Sequence, residues 1–186
     1  MQAIDGFGQQ SNGLFHGHAN NCLRVYSDGT LAYKVVYRSL DKWSHHEQDL
    51  IAEYRLLSSL NHRGIVKVFD LVENKECVYF TMELLKTPLR EYIKGRTYAQ
   101  KKAILVQIEG IVNYLFRGSI IHGDIRMDNF FIKEDYPVLI DFQTARTESQ
   151  GGRFEDSIDM NGYDQIQSCC GPFENKNYVY LTSEVL

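Results

Sequence analysis

The sequence predicts an α+β fold of two lobes: a small antiparallel sheet carrying one helix, then a short, mainly helical lobe. Three observations predict it. The first half alternates short apolar runs with Gly, Asn and Asp turns, broken by a single amphipathic segment. The second half carries the longest stretch of helical periodicity. Between Ile120 and Arg146, a polar loop and two apolar runs read as a hairpin with chemistry at its ends. Strands first and helices afterwards is the order of an α+β domain.

Residues 4–37 read as strands of the sheet. Gly6, Gly8 and Gly13 punctuate the first turn, where glycines would let backbone amides approach a phosphate; a plain hairpin turn reads as well. His16 and His18 flank Gly17 with no further metal ligand nearby, and read as solvated strand residues. The turn Ser27-Asp28-Gly29-Thr30 feeds the apolar run Leu31 to Val36, with Lys34 inside it. An ammonium group in such a strand is paired, functional or at a solvated edge, because burying it alone is costly. A partner follows. Ser44 and Glu47 form a capping box, and Leu50, Ile51, Tyr54 and Leu57 recur at helical spacing through Leu60, with Glu53 beside the stripe.

Next come a turn and strand over Leu60–Val68, and a strand over Cys77–Leu85 that runs into a short linker. Thr87 reads as an N-cap with Pro88 at the first helical position, opening a short helix that Gly95 closes. A longer helix is expected from Thr97 to Phe116, its apolar face formed by Tyr98, Ile104, Leu105, Ile108, Ile111, Val112 and Leu115, with Gly118 ending it.

In the segment from Ile120, the strands are Phe130–Ile132 and Val138–Ile140, joined by a turn at Glu134–Pro137. Asp124 and Asn129 precede the first strand and Asp141 follows the second, so a hairpin brings them together. Two carboxylates and an amide oxygen suit a hard divalent cation such as Mg²⁺, with one carboxylate left as a base. A polar-tipped hairpin without chemistry is the alternative. Beyond Asp141, Gln150-Gly151-Gly152 forms a flexible break and Ser157 to Cys169 reads as a helix.

A net charge of −4 argues against nucleic acid or an anionic membrane as the main partner. Nothing near Met1 has the basic-then-apolar pattern of a signal peptide and no run approaches transmembrane length, so a soluble chain is expected. Cys22, Cys77, Cys169 and Cys170 lack C-x-x-C spacing and read as free thiols in a reducing cytoplasm.

His122-Gly123-Asp124-Ile125, with Asn129 five residues after the aspartate, and Asp141-Phe142-Gln143 resemble the H-R-D-L-x-x-x-N and D-F-G motifs of the protein kinase superfamily. The resemblance implies a single minimal kinase domain over 1–186, with an N-lobe at 1–82 that includes the family's αC helix, a hinge at 83–87 and a C-lobe at 88–186. It implies ATP and Mg²⁺ as cofactors, Asp124 as the base for the attacking hydroxyl, and Asn129 and Asp141 as metal ligands. Leu31-Ala32-Tyr33-Lys34 resembles the V-A-I-K strand, which implies Lys34 on the α- and β-phosphates and Glu53 as its ion-pair partner. Gly8, Gly13 and Phe15 fall in register with the family's glycine-rich loop, with Gln10 in place of the middle glycine. Ala32, Met82 as gatekeeper, Glu83, Leu85 and Phe131 are implied as further nucleotide contacts. Leu57, Val68, His122 and Phe142 fall at the positions of the family's regulatory spine.

Three departures carry expectations. Gly123 replaces the arginine that receives an activation-loop phosphate, which implies activity without loop phosphorylation. Gln143 replaces the D-F-G glycine, and no A-P-E motif follows. Arg126 stands two residues after Asp124, where kinases specific for Ser and Thr usually carry lysine. The pared-down pattern resembles the reduced kinases that bacterial pathogens inject into host cells, or that viruses carry. That implies a virulence effector, a monomer with a host protein as substrate or partner and regulated by partner binding in place of a phosphorylated loop, with Ser/Thr acceptors ahead of Tyr. Two other classes compete. A small-molecule phosphotransferase of the aminoglycoside or choline type also writes H-G-D. A non-catalytic kinase-like decoy would not need to keep Lys34, Glu53, Asp124, Asn129 and Asp141 together.

Overall fold

Asp28 sets the first turn. Its Oδ1 accepts hydrogen bonds from the backbone N–H groups of Thr30 and Leu31, both at 2.8 Å. The turn joins β1 (Leu23–Ser27) to β2 (Leu31–Tyr37), antiparallel with Val25 opposite Lys34. The computed structural model describes residues 23–38 and 45–147. Gly6, Gly8, Gln10, Gly13, Phe15, His16, His18, Ser44, the Gln150–Gly152 break and the helix expected from Ser157 lie outside the described residues.

β3 (Val68–Glu73) and β4 (Cys77–Glu83) complete a four-stranded antiparallel sheet in the order β1-β2-β4-β3. Its central strands bury Ala32, Val35, Val36, Val78 and Phe80. The β3–β4 ladder slips between Val68 and Leu71, and the Thr81 hydroxyl takes up the Asp70 N–H at 3.0 Å. Helix α1 (His45–Ser59) packs on this sheet and buries Leu50, Glu53 and Leu57. Each leucine contributes about 1.5–3 kcal/mol through its buried surface. Tyr54 beside them donates to the Phe69 carbonyl at 2.9 Å.

A second compact unit is built from His62–Ile65 and the residues from Thr87 onward. Ile65 bridges in parallel to Leu139, whose N–H donates to the Gly64 carbonyl at 2.8 Å. Gly64 is required there, because a Cβ would overlap the Ile111 side chain and reach the Tyr136 ring at 3.1 Å. The longest helix follows the expected pattern at its start: the Thr97 hydroxyl accepts from Gln100 N–H and the Gln100 side chain accepts from Thr97 N–H, a complete capping box. This helix buries Ile104, Leu105, Ile108, Ile111, Val112 and Leu115. Tyr98 is 59% exposed, since it stands at the first helical residue, nearly two turns short of the first buried position.

Thr87 and Pro88 do not open a helix as N-cap and first residue. They form β5 (Thr87–Pro88), pairing with Ile132 and Phe131. The residue before a proline is driven to extended backbone, and here that extension completes a sheet edge. The short helix α2 (Leu89–Tyr92) starts one residue later with no side-chain cap, followed by α3 (Tyr98–Arg117). The hairpin turn is also tighter than the sequence suggests. β7 (Phe130–Lys133) and β8 (Tyr136–Leu139) are joined by Glu134 and Asp135 alone, at φ of 51° and 58°. Tyr136 and Pro137 therefore lie in the strand, and Pro137 is tolerated because β8 is an edge of the sheet β5-β7-β8. β6 (Ile120–Ile121) pairs with β9 (Arg146–Thr147) in a third sheet. The lobe expected to be mainly helical thus holds, in its described part, one long helix, one short helix, a 3-10 turn over Met127–Asn129 and two small sheets. No described helix is long and apolar enough to cross a membrane, and Cys77 is buried with a free thiol.

Candidate active site

The first unit contributes a buried ion pair. Lys34 leaves the middle of β2 and Glu53 leaves the sheet-facing side of α1; both are almost fully buried. Lys34 Nζ donates to Glu53 Oε1 at 2.8 Å and lies 2.7 Å from Oε2. Ala32 and Met82 stand directly opposite each other on β2 and β4, both buried. Glu83 is held at both ends by Lys67: its N–H donates to the Lys67 carbonyl and its Oε1 accepts the Lys67 N–H, each at 2.9 Å. The Glu83 N–H is therefore committed to Lys67. Leu85 is buried just beyond.

The second unit holds the polar loop. The hairpin register pairs Phe130 with Leu139, and Ile140 N–H donates to the Asn129 carbonyl at 2.9 Å. Asp141 follows directly, so the two strand ends meet as the sequence pattern requires. Asn129, itself buried, donates its amide hydrogens to the Asp124 carbonyl and to Asp124 Oδ2, both at 2.8 Å. The Asn129 side-chain oxygen, Oδ1, is the atom this leaves for a cation. Arg126 Nε lies 3.3 Å from the same Asp124 Oδ2. Phe131, placed among the nucleotide contacts by resemblance, is buried in β7 of this unit.

His122 ties the loop to the hairpin. Its ring is fully buried; Nδ1 accepts the Asp124 N–H at 3.2 Å and Nε2 lies 3.2 Å from the Ile140 carbonyl. A nitrogen that accepts from an amide carries no proton, so the proton sits on Nε2 and the ring is neutral. Phe142 meets this ring edge-on with centroids 4.5 Å apart. Of the four spine positions, His122 and Phe142 touch in this unit, while Leu57 is buried and Val68 half-buried in the other.

Two backbone positions here take a positive φ. Asp141 adopts φ of 61°, uncommon for a residue with a side chain and concentrated at functional sites. Gly123 adopts φ of 83°, and a Cβ there would press on the Thr144 carbonyl and hydroxyl at 3.0 Å. That hydroxyl donates to the His122 carbonyl at 2.8 Å. The sequence pattern did not single out Thr144 or the Ile140 carbonyl; the missing side chain at Gly123 is the signal that a neighbour occupies the space.

The donor set fits Mg²⁺ held jointly with a ligand. Among the described residues, no cluster of three or more His, Cys, Asp or Glu exists that would cage a metal by itself. One carboxylate, Asp141, and one carboxamide, Asn129, are the usual protein share of a Mg²⁺ shell completed by water and phosphate oxygens.

Comparison with known proteins extends the picture. A family model described as protein kinase domain matches residues 13–185. The chain is 34% identical over 131 residues, 67% of its length, to serine/threonine-protein kinase plk-2 of Caenorhabditis elegans. It is 30% identical over 154 residues, 80% of its length, to serine/threonine-protein kinase plk-1 of the same organism. Sperm motility kinase 3A of Mus musculus is 30% identical over 113 residues, 58% of this chain. The chain spans about a fifth of the length of these curated relatives, 21–22% in each.

Proposed function

The chain belongs to the protein kinase domain family, and from that premise we propose that it is an ATP-dependent protein kinase, transferring a phosphoryl group to Ser or Thr hydroxyls of a protein. Residues 1–186 act as one kinase domain in this reading, with lobes over 1–82 and 88–186 and a hinge at 83–87. The observation that carries it is the Asn129 side chain, which fixes Asp124 through two 2.8 Å hydrogen bonds, while the Ile140 N–H on the Asn129 backbone carbonyl brings Asp141 to the same end of the hairpin.

Asp124 is the general base. Its contacts with Asn129 and Arg126 both fall on Oδ2, so Oδ1 is the oxygen that accepts the proton of the attacking hydroxyl. Asn129 Oδ1 and the Asp141 carboxylate hold Mg²⁺. Bound Mg·ATP supplies the transferable phosphoryl group and offsets the charge that develops on it. Lys34, oriented by Glu53, contacts the α- and β-phosphates. By the resemblance, Ala32, Met82, Glu83, Leu85 and Phe131 contact the nucleotide, and Gly8, Gly13 and Phe15 cover the phosphates. Every residue given a role lies on one chain, so a monomer suffices.

Ser/Thr acceptors are supported by the relatives, two of which are named serine/threonine-protein kinases. Activity without loop phosphorylation is supported by Gly123, which presents no cation and whose side-chain space is closed by Thr144. The resemblance to pared-down kinases extends the proposal to a host protein as substrate. The relatives compared are animal proteins, so that extension rests on the resemblance alone.

The test is transfer from radiolabelled ATP by bacterially produced, phosphatase-treated protein, offered mixed protein acceptors beside kanamycin and choline. Label on protein Ser or Thr at the untreated rate is the expected result. Label on the small molecules alone would assign the chain to the small-molecule phosphotransferases.

A further inference from the structure

A second ion pair joins β2 to α1, and neither the family match nor the catalytic reading uses it. Arg38, one residue past β2, is fixed to the sheet by its backbone N–H, which donates to the Glu76 carbonyl at 2.9 Å. Its guanidinium forks onto Glu47 in the first turn of α1: Nε to Oε2 at 3.1 Å and Nη2 to Oε1 at 2.6 Å. Glu73 on β3 stands farther off, 3.9 Å from Nη2.

The spacing makes this pair a companion to Lys34–Glu53. Lys34, Val36 and Arg38 alternate onto one face of the strand, and the two cations are roughly 13 Å apart along it. Glu53 and Glu47 are six residues apart on α1, roughly 9 Å along its axis. The order reverses between strand and helix, so the pairs are two rungs between antiparallel directions, one buried and one at the rim. Apolar packing of Leu50 and Leu57 is non-directional, and the directional contacts of Glu53 with Lys34 and of Tyr54 with the Phe69 carbonyl come from the middle of α1, away from its first turn. A bidentate guanidinium–carboxylate fork fixes angle as well as distance.

We propose that Arg38 is a positioning residue: its fork on Glu47 holds the first turn of α1 against the sheet, and so keeps Glu53 on Lys34 without a phosphorylated segment or a partner protein. The effect on turnover rests on the kinase reading above; the effect on α1 does not. The pair is partly exposed, with side-chain exposures of 37% and 25%, so its reach is modest.

Hydrogen exchange of α1 amides relative to β4 amides, measured beside transfer rate, tests this in Arg38→Gln, Glu47→Gln, their double variant and Glu73→Gln. Each of the first two should speed α1 exchange by about two- to five-fold, the reach of one exposed pair, and leave β4 unchanged. The double variant should be no worse than either single, because both remove the same contact. Glu73→Gln should match wild type. The rate of transfer should fall in step with α1 exchange, whereas a merely structural loss would raise exchange in β4 as well. Arg38→Lys, which keeps the charge and loses the fork, should resemble Arg38→Gln. Wild-type α1 exchange in both single variants, or additive losses in the double, would overturn the proposal. A wild-type protein that transfers no phosphate would count against the kinase reading, while the exchange ratios would still decide the role of Arg38.

Discussion

Lys34 Nζ sits within 2.8 Å of both carboxylate oxygens of Glu53, with less than a tenth of either side chain exposed. At that depth each charge is tolerable only because the other is present. Lys34→Met alone, or Glu53→Leu alone, should cost about 3–5 kcal/mol of unfolding free energy by stranding a buried charge. The double variant should cost clearly less than the sum, because two apolar side chains can pack where the pair stood. Urea unfolding of the four proteins measures the coupling; additive losses would mean that the pair does not form in solution.

Gly64 offers a packing test in the second unit. Gly64→Ala would drive a methyl group into Ile111, so a loss of about 1–3 kcal/mol is expected from overpacking. Combining it with Ile111→Val, which withdraws a methyl from the collision, should recover part of that loss. Denaturant midpoints for the two variants and wild type decide it. A Gly64→Ala protein as stable as wild type would show that the backbone does not approach α3 so closely.

His62 predicts a pH dependence. Its Nδ1 accepts the Gly64 N–H at 3.0 Å and its ring lies 4.7 Å from that of Tyr114. Burial, with a smaller push from the Arg63 charge, holds this imidazole below the usual histidine range. The unfolded chain therefore takes up the proton first, so the contribution of His62 is complete above about pH 6.5 and shrinks as pH falls through that value. The stability gap between wild type and His62→Gln should narrow between about pH 8 and about pH 5.5. A gap that stays constant or widens on acidification would contradict the assignment.

Lys34, Glu53, Asp124, Asn129 and Asp141 were legible because their neighbours enforce a period: alternation in β2, helical spacing in α1, and two apolar runs around one turn. Thr87-Pro88 misled because the same dipeptide suits a helix start and a strand edge, and only the presence of β7 chooses between them. Glu134-Asp135 carries no glycine, so the two-residue turn left no mark in the sequence. Glu47 reads as half of a capping box with Ser44, and nothing in the local spacing singles out Arg38 or Thr144. Their contacts depend on how the elements pack rather than on local spacing.

Asp124→Asn tests the central claim most directly, because asparagine keeps one oxygen for the Asn129 amide while losing the negative charge and with it the ability to take a proton. Isothermal calorimetry with Mg²⁺ and a non-hydrolysable ATP analogue, beside a radiolabel transfer assay, measures both halves of the claim on one protein. Nucleotide affinity near wild type, with turnover lower by a factor on the order of 10²–10⁴, is the predicted result. Full transfer activity in Asp124→Asn would contradict it and remove Asp124 from the chemistry.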